Sequence, residues 1–367
     1  MFRIICSTFP FMVCLCWFVT FLLHHRTNDS AKHVLTVFLG TCTILYLCHA
    51  SYFNSGGMMP LWTESLWGLC SLSVFPLYFI YITHLTCRPL SNVLTLAVLL
   101  PGALVAASMY LFPGEETETA RKSLFALEVF AVLYFGHKRL QDFDREVANV
   151  YADTEGRDTR SVKKLLVAFA ATAMLSAIAN AIGKQNVAAS EWLIVGLVLF
   201  GFLLHALSYM GYTRTFSAEQ FFRDTKETNI AEALSKALPN VTPAIAETVD
   251  TENVDYDALG RKIEKLMEAQ YYLTKNLKIT DMAQELGTCR TYVSNYINKS
   301  HGCSFSDYVN QLRIDYAKQL LKSEQEKLST IADRSGFSSE QSFYRNFKKF
   351  VGMTPSEWLT KDSEEMS

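Results

Sequence analysis

Up to residue 213 the chain alternates long apolar runs with short polar breaks. From residue 258 onward, apolar residues recur three and four positions apart between charged ones. The first pattern predicts helices apolar on every side, and the second predicts amphipathic helices packed on one another. Crossing the ~30 Å hydrocarbon core of a bilayer takes about 20 helical residues at roughly 1.5 Å each. The runs that reach or approach this length are 4–23, 34–53, 62–85, 90–112, 124–136, 165–182 and 192–212. The fifth is the shortest and holds Glu128, so it spans comfortably only if its helix starts back toward Thr119. Residues 214–257 are polar and broken by Pro239 and Pro243, with a short helical stretch at 230–238. As a flexible coil this tether reaches about 35–40 Å root-mean-square. The expected organisation is all-α: a multi-span transmembrane bundle of seven helices over 1–213, a linker over 214–257, a helical domain over 258–360 and a polar tail over 361–367.

Seven spans place the two termini on opposite sides. With the C-terminus inside, the inner loops 24–33, 86–89 and 137–164 carry ten Lys and Arg. The outer segments carry four: Arg3, Arg121, Lys122 and Lys184. Positive charge favours the cytoplasmic side, so the count supports this orientation. A cleaved signal peptide is the competing reading of the first run, but 4–23 exceeds the usual apolar length of roughly 7–15 residues and no A-x-A site follows. Polar residues within the runs are His49, Glu64, Glu128, Asn180 and His205, which would face a bundle interior as a ligand pocket or a structural cluster.

Charge sharpens the division. The linker from 215 to 257 holds 3 Lys and Arg against 9 Asp and Glu, net −6, whereas 258–360 holds 15 against 11, net +4. Seven of the nine cysteines lie in or beside apolar runs, where a thiol behaves as a small hydrophobe, and Cys289 and Cys303 fit a reducing compartment. No spacing matches a zinc site or a disulfide framework. No nucleophile–base set, metal-ligand cluster or phosphate loop stands out, so an enzyme is not expected and no cofactor is called for.

Within the C-terminal half, Leu259, Ile263, Leu266, Met267 and Tyr271 mark a first helix by their spacing. Two copies of a helix–turn–helix pattern follow at 279–299 and 330–350. In the first, Thr280 can cap a short helix bearing Met282, Ala283 and Leu286, Gly287 makes the turn, and a second helix buries Val293 and Ile297. Its exposed face carries Arg290, Thr291, Ser294 and Asn295. A long helix with Tyr308, Leu312, Tyr316, Leu320 and Leu321 along one side joins the copies. The second begins at Thr330 and turns at Gly336, and Ser338 with Gln341 has the form of a capping box. Its second helix turns Phe343 and Phe347 inward and exposes Glu340, Gln341, Tyr344 and Arg345. Lys348 and Lys349 are placed for phosphate contact.

Taken together, Asp281-Met282-Ala283-Gln284-Glu285-Leu286-Gly287, Leu312-Arg313-Ile314-Asp315-Tyr316-Ala317, Ile331-Ala332-Asp333, Gly336-Phe337-Ser338, Phe343-Tyr344-Arg345-Asn346-Phe347-Lys348-Lys349 and Gly352-Met353-Thr354-Pro355 resemble the AraC/XylS-type DNA-binding domain. The resemblance covers about 258–359. It implies two helix–turn–helix units reading adjacent major-groove segments about 34 Å apart. The base-reading residues it implies are Arg290, Thr291, Ser294, Asn295, Glu340, Gln341 and Arg345, which join Lys348 and Lys349 in the candidate DNA-contact set. Cys289 stands where the family often has serine, so capping there is expected from Thr288. Many soluble members carry a β-rich effector domain where this chain has apolar runs, so their sugar ligands do not transfer.

The expectation is a regulator of transcription in the bacterial inner (cytoplasmic) membrane, multi-pass, with its DNA-binding domain in the cytoplasm. Its expected partners are double-stranded DNA and membrane lipid. RNA polymerase, a signal ligand of unknown identity and a second copy of the chain are further candidates. The competing readings are a membrane-held precursor released by proteolysis and a transporter-like sensor with a DNA-binding tail.

Overall fold

The computed structural model describes residues 2–23, 29–54, 60–182, 187–214, 220–221, 256–323 and 326–365. The linker, including its expected helix at 230–238, lies almost wholly outside these residues, as do Lys184 and the side chain of Asn180. Every regular element among the described residues is helical, as the all-α expectation requires. The chain divides into two compact units. One comprises Met1–Phe143 with Thr159–Phe221, and the other Asp144–Asp158 with Phe222–Ser367.

The first unit holds α1 (Phe2–Leu23), α2 (Ser30–Asn54), α3 (Leu61–Leu85), α4 (Asn92–Leu111), the greater part of α5 (Glu115–Val150), α6 (Arg160–Ile182) and α7 (Val187–Thr213). Helix α1 packs on α2 and α7, α2 on α3, α3 on α4, and α6 on α7. Phe38, Leu39, Tyr78, Ile82, Leu166, Phe169 and Leu204 lie in the common core. Helices α3 and α4 approach closely at Gly102, where an added Cβ would sit 3.0 Å from the Leu72 Cβ and 3.3 Å from its carbonyl oxygen. Small residues at such crossings let backbones meet.

Among the described residues, four stretches are long and apolar enough to cross a membrane: Ser30–Tyr52, Leu61–Leu85, Asn92–Leu111 and Val195–Thr213. Thr8–Leu23 is a shorter apolar helix. The short run at 124–136 has the backward extension that it was expected to need. It is the middle of a 36-residue helix that starts at Glu115, further back than Thr119. Of the polar residues within the runs, His49 accepts the Trp67 indole N–H at its Nε2 (3.0 Å), and His205 accepts that of Trp17 at its Nδ1 (3.0 Å). Arg121 is buried, lies over the Trp67 ring at 4.4 Å and forms a forked pair with Glu118. Glu64 is exposed, so it does not face the bundle interior.

The second unit contains α8 (Tyr256–Glu268), a 3-10 turn at Tyr271–Leu273, α9 (Ile279–Glu285), α10 (Arg290–His301), α11 (Phe305–Ser323), α12 (Leu328–Arg334), α13 (Glu340–Val351) and α14 (Pro355–Glu365). It has two small cores. Leu259, Ile263, Met282, Val293, Ile297, Phe305 and Val309 fill the first, and Ile314, Ala317, Leu320, Ile331, Phe337, Phe343 and Phe347 fill the second. The long helix α11 thus gives its first half to one core and its second half to the other. Its buried stripe runs through Val309, Arg313, Ile314 and Ala317, whereas Tyr308, Leu312 and Tyr316 are only partly buried. Leu320 and Leu321 are buried as the spacing indicates, and the buried face also takes in a charged residue, Arg313.

Candidate nucleic-acid interface

Both copies turn by the same device. In the first, Gly287 has φ +64°, its N–H donates to the Gln284 carbonyl at 3.1 Å, and the Thr288 N–H donates to the Ala283 carbonyl at 2.9 Å. In the second, Gly336 has φ +80°, its N–H donates to the Asp333 carbonyl at 3.1 Å, and the Phe337 N–H donates to the Ala332 carbonyl at 3.1 Å. This is the Schellman closure, in which a left-handed residue lets two otherwise unpaired carbonyls find donors. Gly336 is doubly constrained, because a Cβ there would stand 2.6 Å from the Leu273 carbonyl oxygen. The second helices, α10 and α13, end alike at Gly302 and Gly352, both with positive φ.

The helix starts differ from the expected ones. Helix α9 begins with Lys278 at the N-cap rather than Thr280, and the Lys278 N–H donates to the Asp281 carboxylate at 3.0 Å. Helix α10 has Cys289 itself at the N-cap, not Thr288. Helix α12 starts at Leu328, ahead of Thr330. Helix α13 is capped by Ser339, whose hydroxyl accepts the Ser342 N–H at 3.0 Å, so the cap falls one residue after the expected Ser338. Gly352-Met353-Thr354-Pro355 does more than end a helix. It opens α14 with a true reciprocal box: the Thr354 N–H donates to the Glu357 carboxylate at 2.7 Å and the Glu357 N–H donates to the Thr354 hydroxyl at 3.3 Å, with Pro355 at the first helical position.

On α10, Thr291 and Asn295 are exposed. Arg290 and Ser294 are half-buried, and the Ser294 hydroxyl accepts the Asn298 amide at 3.2 Å. On α13, Glu340, Gln341, Lys348 and Lys349 are exposed. Lys349 pairs with Asp307 at 2.5 Å and is therefore already engaged. Arg345 is half-buried. Its Nη1 lies 3.9 Å from the Asp158 carboxylate, while its Nη2 is buried without a hydrogen-bond partner among the described residues. Phe343 and Phe347, 0% exposed, point into the second core as expected, and Val293 and Ile297, also 0% exposed, into the first. The two recognition-type helices thus each present a polar outer face on an apolar base.

A group that the sequence reasoning missed ties the copies together. Arg313 is fully buried. It donates from Nε to the Tyr272 carbonyl and from Nη2 to the Thr274 carbonyl, each at 2.7 Å, and from Nη1 to the Asn310 amide oxygen at 3.3 Å. Its guanidinium lies 5.6 Å from the centre of the Phe337 ring. Burial pulls this group down to about 10, and the charge of Asp153 opposes that fall. One side chain therefore joins the approach to the first copy, the connecting helix and the start of the second. Arg313 shares its buried helix face with the polar residues Ser306 and Asn310.

Residues 282–361 match the family described as "Helix-turn-helix domain". The chain is 26% identical over 110 residues to the Msm operon regulatory protein of Streptococcus mutans, covering 30% of this chain and 39% of that protein. It is 34% identical over 105 residues to the TCP pilus virulence regulatory protein of Vibrio cholerae, covering 29% of this chain and 37% of the relative. A solved C-terminal domain of the two-component response regulator yesN from Fusobacterium nucleatum is 26% identical; the match covers 28% of this chain and 98% of that one, with a TM-score of 0.26. The chain spans less than two fifths of the length of these two regulators. Its C-terminal part carries a helix–turn–helix domain similar to those of transcription regulators.

Proposed function

We propose that the protein is a membrane-embedded, sequence-specific DNA-binding regulator of transcription that couples a membrane or external signal to gene expression. The observation that carries this reading is the repeated Schellman turn, which sets two second helices, α10 and α13, with polar outer faces in a domain similar to that of known regulators. In a helix–turn–helix unit the second helix enters the major groove. Gln341 is suited to pair with adenine through two hydrogen bonds. Arg345 and Arg290 suit guanine or a phosphate, a good bidentate pair discriminating by ~1–3 kcal/mol. Thr291, Ser294, Asn295, Glu340, Lys348 and Lys349 complete the proposed contact set.

Membrane embedding is supported by what the first unit exposes. Val93 (77%), Leu111 (65%) and Leu127 (64%) stand open on α4 and α5, alongside Leu96, Leu104 and Tyr134. Monomeric proteins in water rarely carry contiguous apolar surface on this scale, whereas lipid covers it. With the C-terminus inside, DNA is within reach.

The test uses the full-length protein in lipid nanodiscs, with its sites first recovered from fragmented genomic DNA. Replacing both Gln341 and Arg345 by alanine is expected to abolish selective retention of those fragments while leaving weak, salt-sensitive retention of bulk DNA. Unchanged selectivity at fixed salt would remove α13 from the reading face.

A further inference from the structure

The connection between α5 and α6 does not behave as a loop. Residues 151–158 belong to the same compact unit as the helix–turn–helix domain, and Tyr151, Ala152 and Asp153 are 1%, 0% and 2% exposed. Tyr151 forms a bridge with Lys278, and the Ala152 N–H donates to the Leu277 carbonyl at 3.0 Å, which holds the segment against the start of the first copy. The Ala152 carbonyl accepts from the Ser306 hydroxyl at 2.7 Å and from the Asn310 amide at 2.8 Å, both on the connecting helix α11. The Asp153 carboxylate accepts the Ser338 N–H at 3.0 Å and the Ser342 hydroxyl at 2.7 Å, at the start of α13. The Ser339 hydroxyl, the cap of that helix, donates to the Glu155 carboxylate. Asp158 then lies 3.9 Å from Arg345.

Three carboxylates thus gather at the N-terminal end and outer face of the second recognition-type helix. Those are the places from which such a helix meets phosphate and base edges, because unpaired N–H groups and the positive end of the helix dipole favour anions there. Asp153 takes the Ser338 N–H, Glu155 takes the Ser339 hydroxyl, and Asp158 stands 3.9 Å from Arg345, so the chain itself supplies negative charge at this end. A DNA backbone arriving at the same groups meets like charge, with the Ser339 hydroxyl already donated to Glu155 and Arg345 already facing Asp158.

We propose that residues 151–158 are a cis-acting inhibitory latch: docked, they hold α13 in a state poor at binding DNA, and DNA reading by the second copy requires Glu155 and Asp158 to leave it. The proposal rests on the DNA-binding reading above. It also supplies a route for the signal. The segment follows α5 without a break at Val150 and precedes α6 at Arg160, so a shift of either helix pulls directly on the latch. No signal need then pass along the acidic linker.

Charge-only variants test this without disturbing the buried core residues. The full-length double variant Glu155→Gln, Asp158→Asn, in nanodiscs, is expected to bind a labelled mixed-sequence duplex roughly tenfold more tightly than wild type at about 0.1 M salt. The same change of two charges on α8, at exposed Glu264 and Glu268, is expected to have a much smaller effect. In the wild type, amide hydrogen exchange of a peptide covering 151–158 should accelerate when the duplex binds. Equal affinity of wild type and latch variant, an equal gain from the α8 control, or unchanged protection in the bound state overturns the latch. Absence of duplex binding in all three proteins instead overturns the DNA-binding reading, and the latch with it.

Discussion

Arg313 shows how one residue couples two halves of a domain. Its fork satisfies two backbone carbonyls and one amide oxygen, and its charge faces the buried Asp153, which caps the other copy. Removing one partner of a buried charge set costs about 3–5 kcal/mol, because the remaining charge and acceptors stay buried without compensation. Arg313→Ala is therefore expected to speed amide exchange across α12 and α13 more than 100-fold, that cost converted to a rate ratio at about 1.4 kcal/mol per factor of ten. Unchanged exchange would mean that the two copies are held by their apolar cores alone. The sequence does not say which acceptors lie across from this arginine, since Tyr272 and Thr274 stand about forty positions away.

At the scale of elements, the turns were legible and the caps less so. A glycine bounded by two amphipathic runs has few other uses, and Gly287 and Gly336 both adopt the left-handed conformation that excludes most residues. The cap of α13 was placed one residue early because Ser338 and Ser339 are chemically alike, and it is the Ser339 hydroxyl that accepts the Ser342 N–H. The box opening α14 makes a pH-dependent prediction. Its Thr354 N–H, more than any other neighbour, holds the Glu357 carboxyl below the ordinary carboxylate range. A carboxyl depressed in the folded state adds stability above its unfolded value, and that stability is lost as the pH falls through the folded value. Glu357→Gln should thus speed exchange in the first turn of α14 at neutral pH, and the difference from wild type should vanish in acid. A difference that persists below the folded value would assign the effect to shape rather than charge.

At the scale of the whole molecule, the proposed membrane reading takes its orientation from the inward bias of positive charge and from the need of a groove-reading domain to stand beside DNA. A fluorescent protein that matures only in the cytoplasm, fused after Ser367, should therefore light up, and a reporter active only outside should stay silent; the reverse result would reverse the bundle. The length and apolarity of the runs indicated helices in the first unit, since a helix pairs the backbone N–H and C=O groups of a long apolar segment within that segment. Spacing and glycines likewise determined the two helix–turn–helix copies, because a helix repeats every 3.6 residues and a left-handed turn admits little else. Only the tertiary structure decided the reach of α5 to 36 residues, the buried role of Arg313 and the docking of 151–158 beneath Ser338, Ser339 and Ser342. The last two depend on partners 39 to 189 positions apart, and local patterns of apolar and polar residues carry no information about which distant donor a buried acceptor will meet.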